Sequence, residues 1–431
     1  MTLSDRIVAV LDALGIARAH VATQLAGDIA GLVAGHSDRL GGIALVAPTR
    51  INPAPFAALG ERLLYIQPDG GMLARTAASA LPGLPDAKTA TLEGYAAEGW
   101  TDLAADRADI VDLVAAHLSA VGGADMGDGE EVSGEVADIR YRAFGAGPVL
   151  LLTPMALAPS QWEPLLPALA ERFRVVALAG PKLGMLALLE ERAALVDWRR
   201  MSAGLFDDLA LSAGDKVLDV GCGSGAVAVQ FMGHTGGANP LTALDLSPYL
   251  LGEARISAGK AGAAIAFEQG SAEALPFADN SFDAAYTITV LEECDATLAL
   301  AELVRVVRPG GRIGVIVRAT ELHAWWNLPV SAELRPKFSL PAQSVSASGV
   351  ASAKLYDMGI AAGLTPVRMG PYTVVSERAD GPVFAQPEAY ALSQLTPGER
   401  EEYQAAKTEA LAAGTLFMTR GHHCFVGKVG A

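Results

Sequence analysis

The chain is poor in cysteine and in positive charge, and it lacks any long apolar run. Three cysteines in 431 residues (Cys222, Cys294 and Cys424) have neither the spacing of a metal site nor the number for a disulfide framework. Lysine and arginine total 32 against 48 aspartate and glutamate, a net charge of −16. Such a surface repels phosphates, which argues against nucleic acid as a partner. No uninterrupted apolar stretch reaches the roughly 18 residues of a membrane span. The first twenty residues carry Asp5, Arg6 and Asp12 within an amphipathic pattern and do not read as a secretory signal. A soluble, cytoplasmic protein without metal is expected. Apolar residues are abundant, at 51 % of the chain, so there is material for sizeable cores. The length exceeds one ordinary domain, and two or three are expected.

Glycine is also plentiful, and its most informative cluster is Val217-Leu-Asp-Val-Gly-Cys-Gly-Ser-Gly-Ala226. This stretch reads as a buried strand, a glycine loop and the start of a helix. Gly221, Gly223 and Gly225 let the backbone turn sharply and approach a ligand closely. The helix from Ala226 to about Met232 points its N-terminal amides over the loop. Gly221, Gly223 and Ala226 also fit the dinucleotide pattern G-x-G-x-x-G/A, with an acid downstream at Asp245. Asp219 argues against that reading, because a carboxylate there would oppose a pyrophosphate. It suits a ligand with a cationic amino group.

D-V-G-C-G-S-G resembles the first motif of class I S-adenosylmethionine (SAM)-dependent methyltransferases. Leu241-Thr-Ala-Leu-Asp-Leu-Ser247 is a second apolar strand, and a carboxylate at its end (Asp245) can accept both hydroxyls of a ribose. Gly270-Ser-Ala-Glu-Ala-Leu-Pro-Phe277, Ser281-Phe-Asp-Ala-Ala-Tyr-Thr287 and Arg308-Pro-Gly-Gly-Arg312 follow in the family's order and spacing. The resemblance covers about residues 195–431. It implies SAM as cofactor, bound by Asp219, Gly221, Cys222, Gly223, Gly225, Asp245, Leu246, Ser271, Ala272, Glu273 and Thr287. Ser271 stands where the family often has an aspartate near the adenine amine. The implied fold is a Rossmann-like α/β domain with a mostly parallel seven-stranded sheet and an antiparallel last strand.

Residues 1–190 alternate strands and helices, which implies a parallel sheet covered on both faces. Gly145-Ala-Gly-Pro-Val-Leu-Leu-Leu and the helix and strand after Trp162 resemble the beginning of the α/β-hydrolase fold. Gly15-Ile-Ala-Arg-Ala-His-Val and Leu45-Val-Ala-Pro resemble its middle, and Asp106–Leu118 its closing helix. The resemblance implies a circular permutation, with 1–120 and 135–190 as the exchanged parts, 121–134 as a glycine- and acid-rich linker, and 191–431 as the methyltransferase domain. The hydrolase chemistry is missing. The nucleophile elbow falls at Thr23-Gln-Leu-Ala-Gly27, with Leu25 at the serine position. Thr153-Pro154 replaces the usual His-Gly, Asp69 stands at the acid position, and Ala97-Glu-Gly-Trp100 offers no histidine.

Methyl transfer from a sulfonium asks mainly for alignment and exclusion of water, so no universal catalytic residue is expected. Specificity should reside after the strand Arg312–Arg318, in Ala319-Thr-Glu-Leu-His-Ala-Trp-Trp-Asn-Leu-Pro329. His323 is the candidate base or orienting group. Trp325 and Trp326 either wall the acceptor or pack in a core or lid. Trp198 and Phe206 are further candidates for closing the pocket. His422 and His423 read as surface or structural histidines, and Glu292-Glu293 as the acidic opening of a helix. The expected partner is a small-molecule acceptor, with no nucleic acid and no membrane, and a homodimer is left open. A non-catalytic SAM-binding protein, a residual hydrolase and a nicotinamide oxidoreductase are the alternatives.

Overall fold

A computed structural model of the chain describes residues 1–96, 102–322, 324–338, 346–377, 379 and 381–430. The chain divides into two compact units, Met1–Ala187 and Leu188–Ala431. No described helix is long and apolar enough to cross a membrane.

The first unit is built on a seven-stranded sheet. Strands β1 (Ala19–Thr23), β2 (Leu40–Val46), β3 (Leu63–Gly70) and β4 (Lys88–Ala96) lie side by side and parallel. β1 and β2 are buried along their whole length, as central strands covered on both faces are. Successive residues point to opposite faces. Val21 and Ile43 join one apolar layer with Ile7, Ile29 and Leu32. Ala22 and Ala44 join the other with Ile110, Val114 and Leu118.

Strands β5 (Met126–Val136) and β6 (Ile139–Leu152) form an antiparallel hairpin. Its two-residue turn, Ala137-Asp138, has φ of 52° and 63°, the hand that matches strand twist. The expected linker 121–134 is therefore mostly β-strand. Its composition is that of a loop because β5 sits at the sheet edge with most side chains in solvent, and its order comes from backbone pairing to β6. Beyond the hairpin, β6 changes its relation to β7 (Arg174–Ala179). From Arg140↔Ala179 to Phe144↔Val175 the register runs in opposite senses, and from Val149↔Arg174 to Leu152↔Ala177 it runs in the same sense. The switch occurs at Gly145 and Gly147. At Gly145 φ is 76°, and a Cβ would lie 2.5 Å from the Phe173 carbonyl oxygen. The two halves of β6 thus flank β7, and the second half pairs with β1.

The second unit carries a seven-stranded sheet in the order β10-β9-β8-β11-β12-β14-β13. The strands are β8 (Val217–Val220), β9 (Leu241–Asp245), β10 (Ile265–Gln269), β11 (Phe282–Ile288), β12 (Val307–Arg318), β13 (Leu364–Ser376) and β14 (Met418–Val429). The first five are parallel, and β14 runs antiparallel between β12 and β13, the mixed sheet that the sequence implies. Helix Val196–Asp208 covers one face with Trp198, Leu205 and Phe206, and helix Ala296–Val306 covers the other with Leu300 and Leu303. A separate apolar cluster joins Trp326, Leu328 and Phe338 to Phe384 and Tyr403 of the helices Pro382–Ser393 and Pro397–Ala412. The chain leaves the sheet in opposite directions after β8 and β11, and α/β sheets open a ligand crevice at such a reversal.

Candidate functional site

The site assembles where β8, β9 and β11 end. Val217, Leu218 and Val220 bury β8, which carries Asp219 into the interior at 3 % exposure. The backbone turns at Gly221, Gly223 and Gly225, all with positive φ (78°, 55° and 76°). The amides of Gly221 and Cys222 donate to the Leu244 carbonyl at 2.7 and 3.0 Å, which ties the loop to β9. Gly225 begins the helix Ala226–His234. The loop tolerates no side chain at Gly221, where a Cβ would stand 2.2 Å from Cγ2 of Val290. Gly221→Ala is expected to weaken S-adenosylhomocysteine (SAH) binding at least about tenfold and to destabilise by about 1–3 kcal/mol, through strain and overpacking. Gly262→Ala is the control, since Gly262 also has positive φ but nothing within 4 Å. Equal effects of the two variants, by calorimetry and thermal melting, would refute the close approach at Gly221.

Two buried carboxylates define the chemistry. Asp219 accepts a hydrogen bond from the Tyr286 hydroxyl at 3.0 Å. Burial pushes its carboxyl up to about 8, the nearby Asp245 adds to the rise, and Tyr286 opposes it. Asp245 accepts from the amides of Gly223 (2.8 Å) and Ser247 (2.9 Å), and burial raises it too against those bonds. No lysine or arginine forms an ion pair with either among the described residues. A buried carboxylate without a cation is costly, so the site is suited to a cationic ligand group at Asp219 and to hydroxyl donors at Asp245.

The remaining expected cofactor residues fall into two groups. Leu246 follows Asp245 and is 69 % exposed, an apolar surface beside the acid. Ser271 accepts from the Glu273 amide at 3.1 Å, and the Glu273 carboxylate accepts from the Asp295 amide at 2.7 Å, so this segment is braced beside the carboxyl end of β10. Ala272 packs on the core at its back. Thr287 is fully buried, and its hydroxyl donates to the Val220 carbonyl at 2.9 Å. It ties β11 to β8 and is not open to a ligand. Burial raises the Cys222 thiol, next to both carboxylates.

The acceptor side differs more from expectation. His323 lies outside the described residues. Trp326 is 4 % exposed and packs against Phe338 and Phe384 with centroids at 5.6 and 4.8 Å, so it belongs to the apolar cluster and walls no open site. Trp325 is 49 % exposed, with the Arg335 guanidinium 5.1 Å from its ring centre. Trp198 and Phe206 are buried in the core of the unit. Of the surface and structural readings of His422 and His423, the buried positions of both fit the structural one. His422 stacks edge-on against Trp198 at 5.3 Å, and burial holds its imidazole down to about 3. His423 bridges Tyr356 and Glu321, each at 2.8 Å. Glu292 and Glu293 precede the helix Ala296–Val306, whose N-cap is Asp295. Glu292 is instead fully buried and binds the amide and Nε of Arg318 at 2.7 and 3.3 Å. Its burial depends on β12, which no local pattern reveals.

In the first unit, the positions of the expected hydrolase centre are filled by self-contained polar contacts. The Thr153 hydroxyl donates to Thr23 at 2.6 Å, Gln24 bonds the Ala47 carbonyl and the Ala156 amide, and the Trp162 indole donates to the Thr153 carbonyl. Leu25 has φ −99° and ψ 81°, without the strain of a nucleophile elbow. Asp69 accepts from the amides of Gly94 and Tyr95 and so fastens β4. Residues 97–101 lie outside the described residues. No group of three or more His, Cys, Asp or Glu side chains could hold a metal among the described residues.

Residues 218–315 match the family model for a methyltransferase domain. The chain is 36 % identical over 148 residues to O-methyltransferase resE of Aspergillus sclerotiorum, covering 34 % of this chain and 55 % of the relative. It is 38 % identical over 143 residues to the malonyl-[acyl-carrier protein] O-methyltransferase of Erwinia billingiae, covering 32 % and 53 %. The chain thus spans about half the length of these curated relatives. Among solved structures it is similar to the YcgJ protein of Bacillus subtilis, at 19 % identity and a TM-score of 0.37, over 54 % of this chain and 99 % of that one. Residues 218–315 are a class I, SAM-dependent methyltransferase domain, with S-adenosylmethionine as its cofactor.

Proposed function

We propose that the chain transfers a methyl group to a small-molecule acceptor. One observation carries the reading: Asp219, the glycine loop and Asp245 converge at the reversal between β8 and β11, inside the segment that matches a methyltransferase domain. When bound, SAM supplies an electrophilic methyl group. Asp219 would hold its ammonium, Asp245 its ribose hydroxyls, and Leu246, Ser271, Ala272 and Glu273 would flank the adenine. The protein's part is to align the acceptor and exclude water. The net charge of −16 supports a small acceptor over nucleic acid. The test incubates the full chain with methyl-labelled SAM and fractionated metabolite extract. Label should pass to a small molecule with formation of SAH. SAH binding without turnover in any fraction would favour the non-catalytic alternative.

For the first unit we infer a circularly permuted, catalytically inactive α/β-hydrolase-like fold that serves as scaffold, dimerisation surface or substrate-binding wall. The sheet supports this. Its spatial order begins with β5 and ends with β4, so the strands follow chain order best when the chain is cut between those two. The absence of an elbow at Leu25 supports inactivity. A panel of aryl esters should show no turnover above that in buffer.

A further inference from the structure

We propose that the acceptor carries an oxyanion, a carboxylate or a phosphate ester, and that Arg192 is its anchor. This deepens the methyltransferase reading and rests on it.

Arg192 lies on the helix Gly184–Ala194, three residues after Leu189. Leu189 reaches the glycine loop, where its Cδ1 is 3.3 Å from the Cβ position of Gly223. The Arg192 guanidinium lies 4.4 Å from the ring centre of Trp198, and Trp198 stacks on His422. His422 on β14 pairs with Arg318 at the carboxyl end of β12. Arg192 therefore stands over the ends of β12 and β14, the second and third strands from β8 on that side. At about 4.8 Å per strand, the backbones of β12 and β14 lie roughly 10–14 Å from the strand bearing Asp219. That places the guanidinium toward β12 and β14, on the other side of β8 from β9 and its Asp245.

Arg192 also lacks what a partly buried guanidinium needs. It has five N–H donors. Among the described residues it has an aromatic face and neither a hydrogen bond nor an ion pair. The two nearby acids, Glu292 and Glu293, are engaged by Arg318. Burial lowers Arg192 to about 10, with Glu292 opposing the fall, so it stays charged at neutral pH. Three more polar atoms of this cluster are buried without a hydrogen bond: Nε1 of Trp198, Nδ1 of His422 and Oε2 of Glu292. The indole donates only, and it can join Arg192 on an oxyanion. Glu292 Oε2 accepts only, and it offers the same molecule a place for a hydroxyl or N–H. A planar guanidinium on an aromatic face is the arrangement that binds carboxylate or phosphate through two parallel hydrogen bonds.

Calorimetry on the full chain, with and without saturating SAH, tests this with matched probes: benzoate against benzamide, and phenyl phosphate against phenol. At least one anion should bind about tenfold or more tighter than its neutral partner, and the arm that does so identifies the oxyanion. Arg192→Gln should abolish that preference, Arg192→Lys should keep part of it, and both should bind SAH within about threefold of wild type. The proposal falls if neither anion is preferred, if the preference survives in Arg192→Gln, or if Arg192→Gln weakens SAH tenfold or more. The last result would put Arg192 on the donor's carboxylate. Failure of the wild type to bind SAH would sink the methyltransferase reading instead, while the arms without SAH still decide the role of Arg192.

Discussion

Between pH 6 and pH 8.5, SAH binding is expected to tighten by roughly 50- to 100-fold, with uptake of the ligand releasing about one proton. The cause is Asp219. In the ligand-free protein its carboxyl is pushed up to about 8, because it is buried and close to Asp245, with the Tyr286 hydroxyl opposing the rise. At pH 6 it is mostly protonated and cannot pair with an ammonium. The ligand must expel the proton, and the apparent affinity falls by about the ionised fraction. The sign for stability follows from the same shift. A carboxyl raised from 3.8 to about 8 binds more protons folded than unfolded. Its contribution is full below the unfolded value and is lost as pH rises through the folded one, so the ligand-free protein should weaken between about pH 4 and pH 8 from this group. SAH should reverse that loss, and its stabilisation should be larger at pH 8 than at pH 6. Asp219→Asn should flatten the profile and weaken binding at pH 8.5. A flat wild-type profile, or binding without proton release, would remove Asp219 from the ammonium site.

How much of this was legible in the sequence depends on the range of the interactions. The donor side was readable because its parts are contiguous: a short apolar strand, three glycines with positive φ, and an acid on either side lie within about thirty residues. The same locality made the sheet of the second unit readable up to β12. Tyr286 was visible only as one position of the motif Ser281–Thr287, since its bond to Asp219 links two strands 67 residues apart. The acceptor side was misread for a related reason. Glu292 and Glu293 precede a helix and look like dipole partners, yet Glu292 is committed to Arg318 after β12. His422 reads as surface or structural from sequence, and only helix Val196–Asp208, which lays Trp198 across it, decides for the buried structural role. Arg192 has no local signal at all, because its meaning lies in the ring of Trp198 and in the lack of an ion-pair partner among the described residues. In the first unit, β5 was hidden by composition. Glycine and glutamate suit a flexible link, and they also suit an edge strand ordered mainly by its backbone pairing.

Glu292→Ala is expected to be the most destabilising single change in the second unit, by about 3–5 kcal/mol. Glu292 is wholly buried, and burial raises its carboxyl against the charges of Arg318 and Arg192. One oxygen holds the Arg318 amide and Nε, fixing the end of β12 where the chain departs for residues 319–338. The backbone on either side is pinned as well: Leu291 accepts from the Val350 amide, and Glu292 accepts from the Ser346 amide at 2.7 Å. Truncation would leave the Arg318 amide without its acceptor and two arginines with less compensating charge, in a space that collapses poorly. Glu292→Gln keeps the acceptor and the volume, and should cost about 1–3 kcal/mol. For a unit of this size each kcal/mol lowers the melting temperature by about 2–4 °C. The transition to follow is the one that SAH raises, since a ligand stabilises only the unit that binds it. A fall in that transition of less than about 3 °C in Glu292→Ala would mean that Arg318 finds an equivalent partner and that Glu292 does not fix the end of β12.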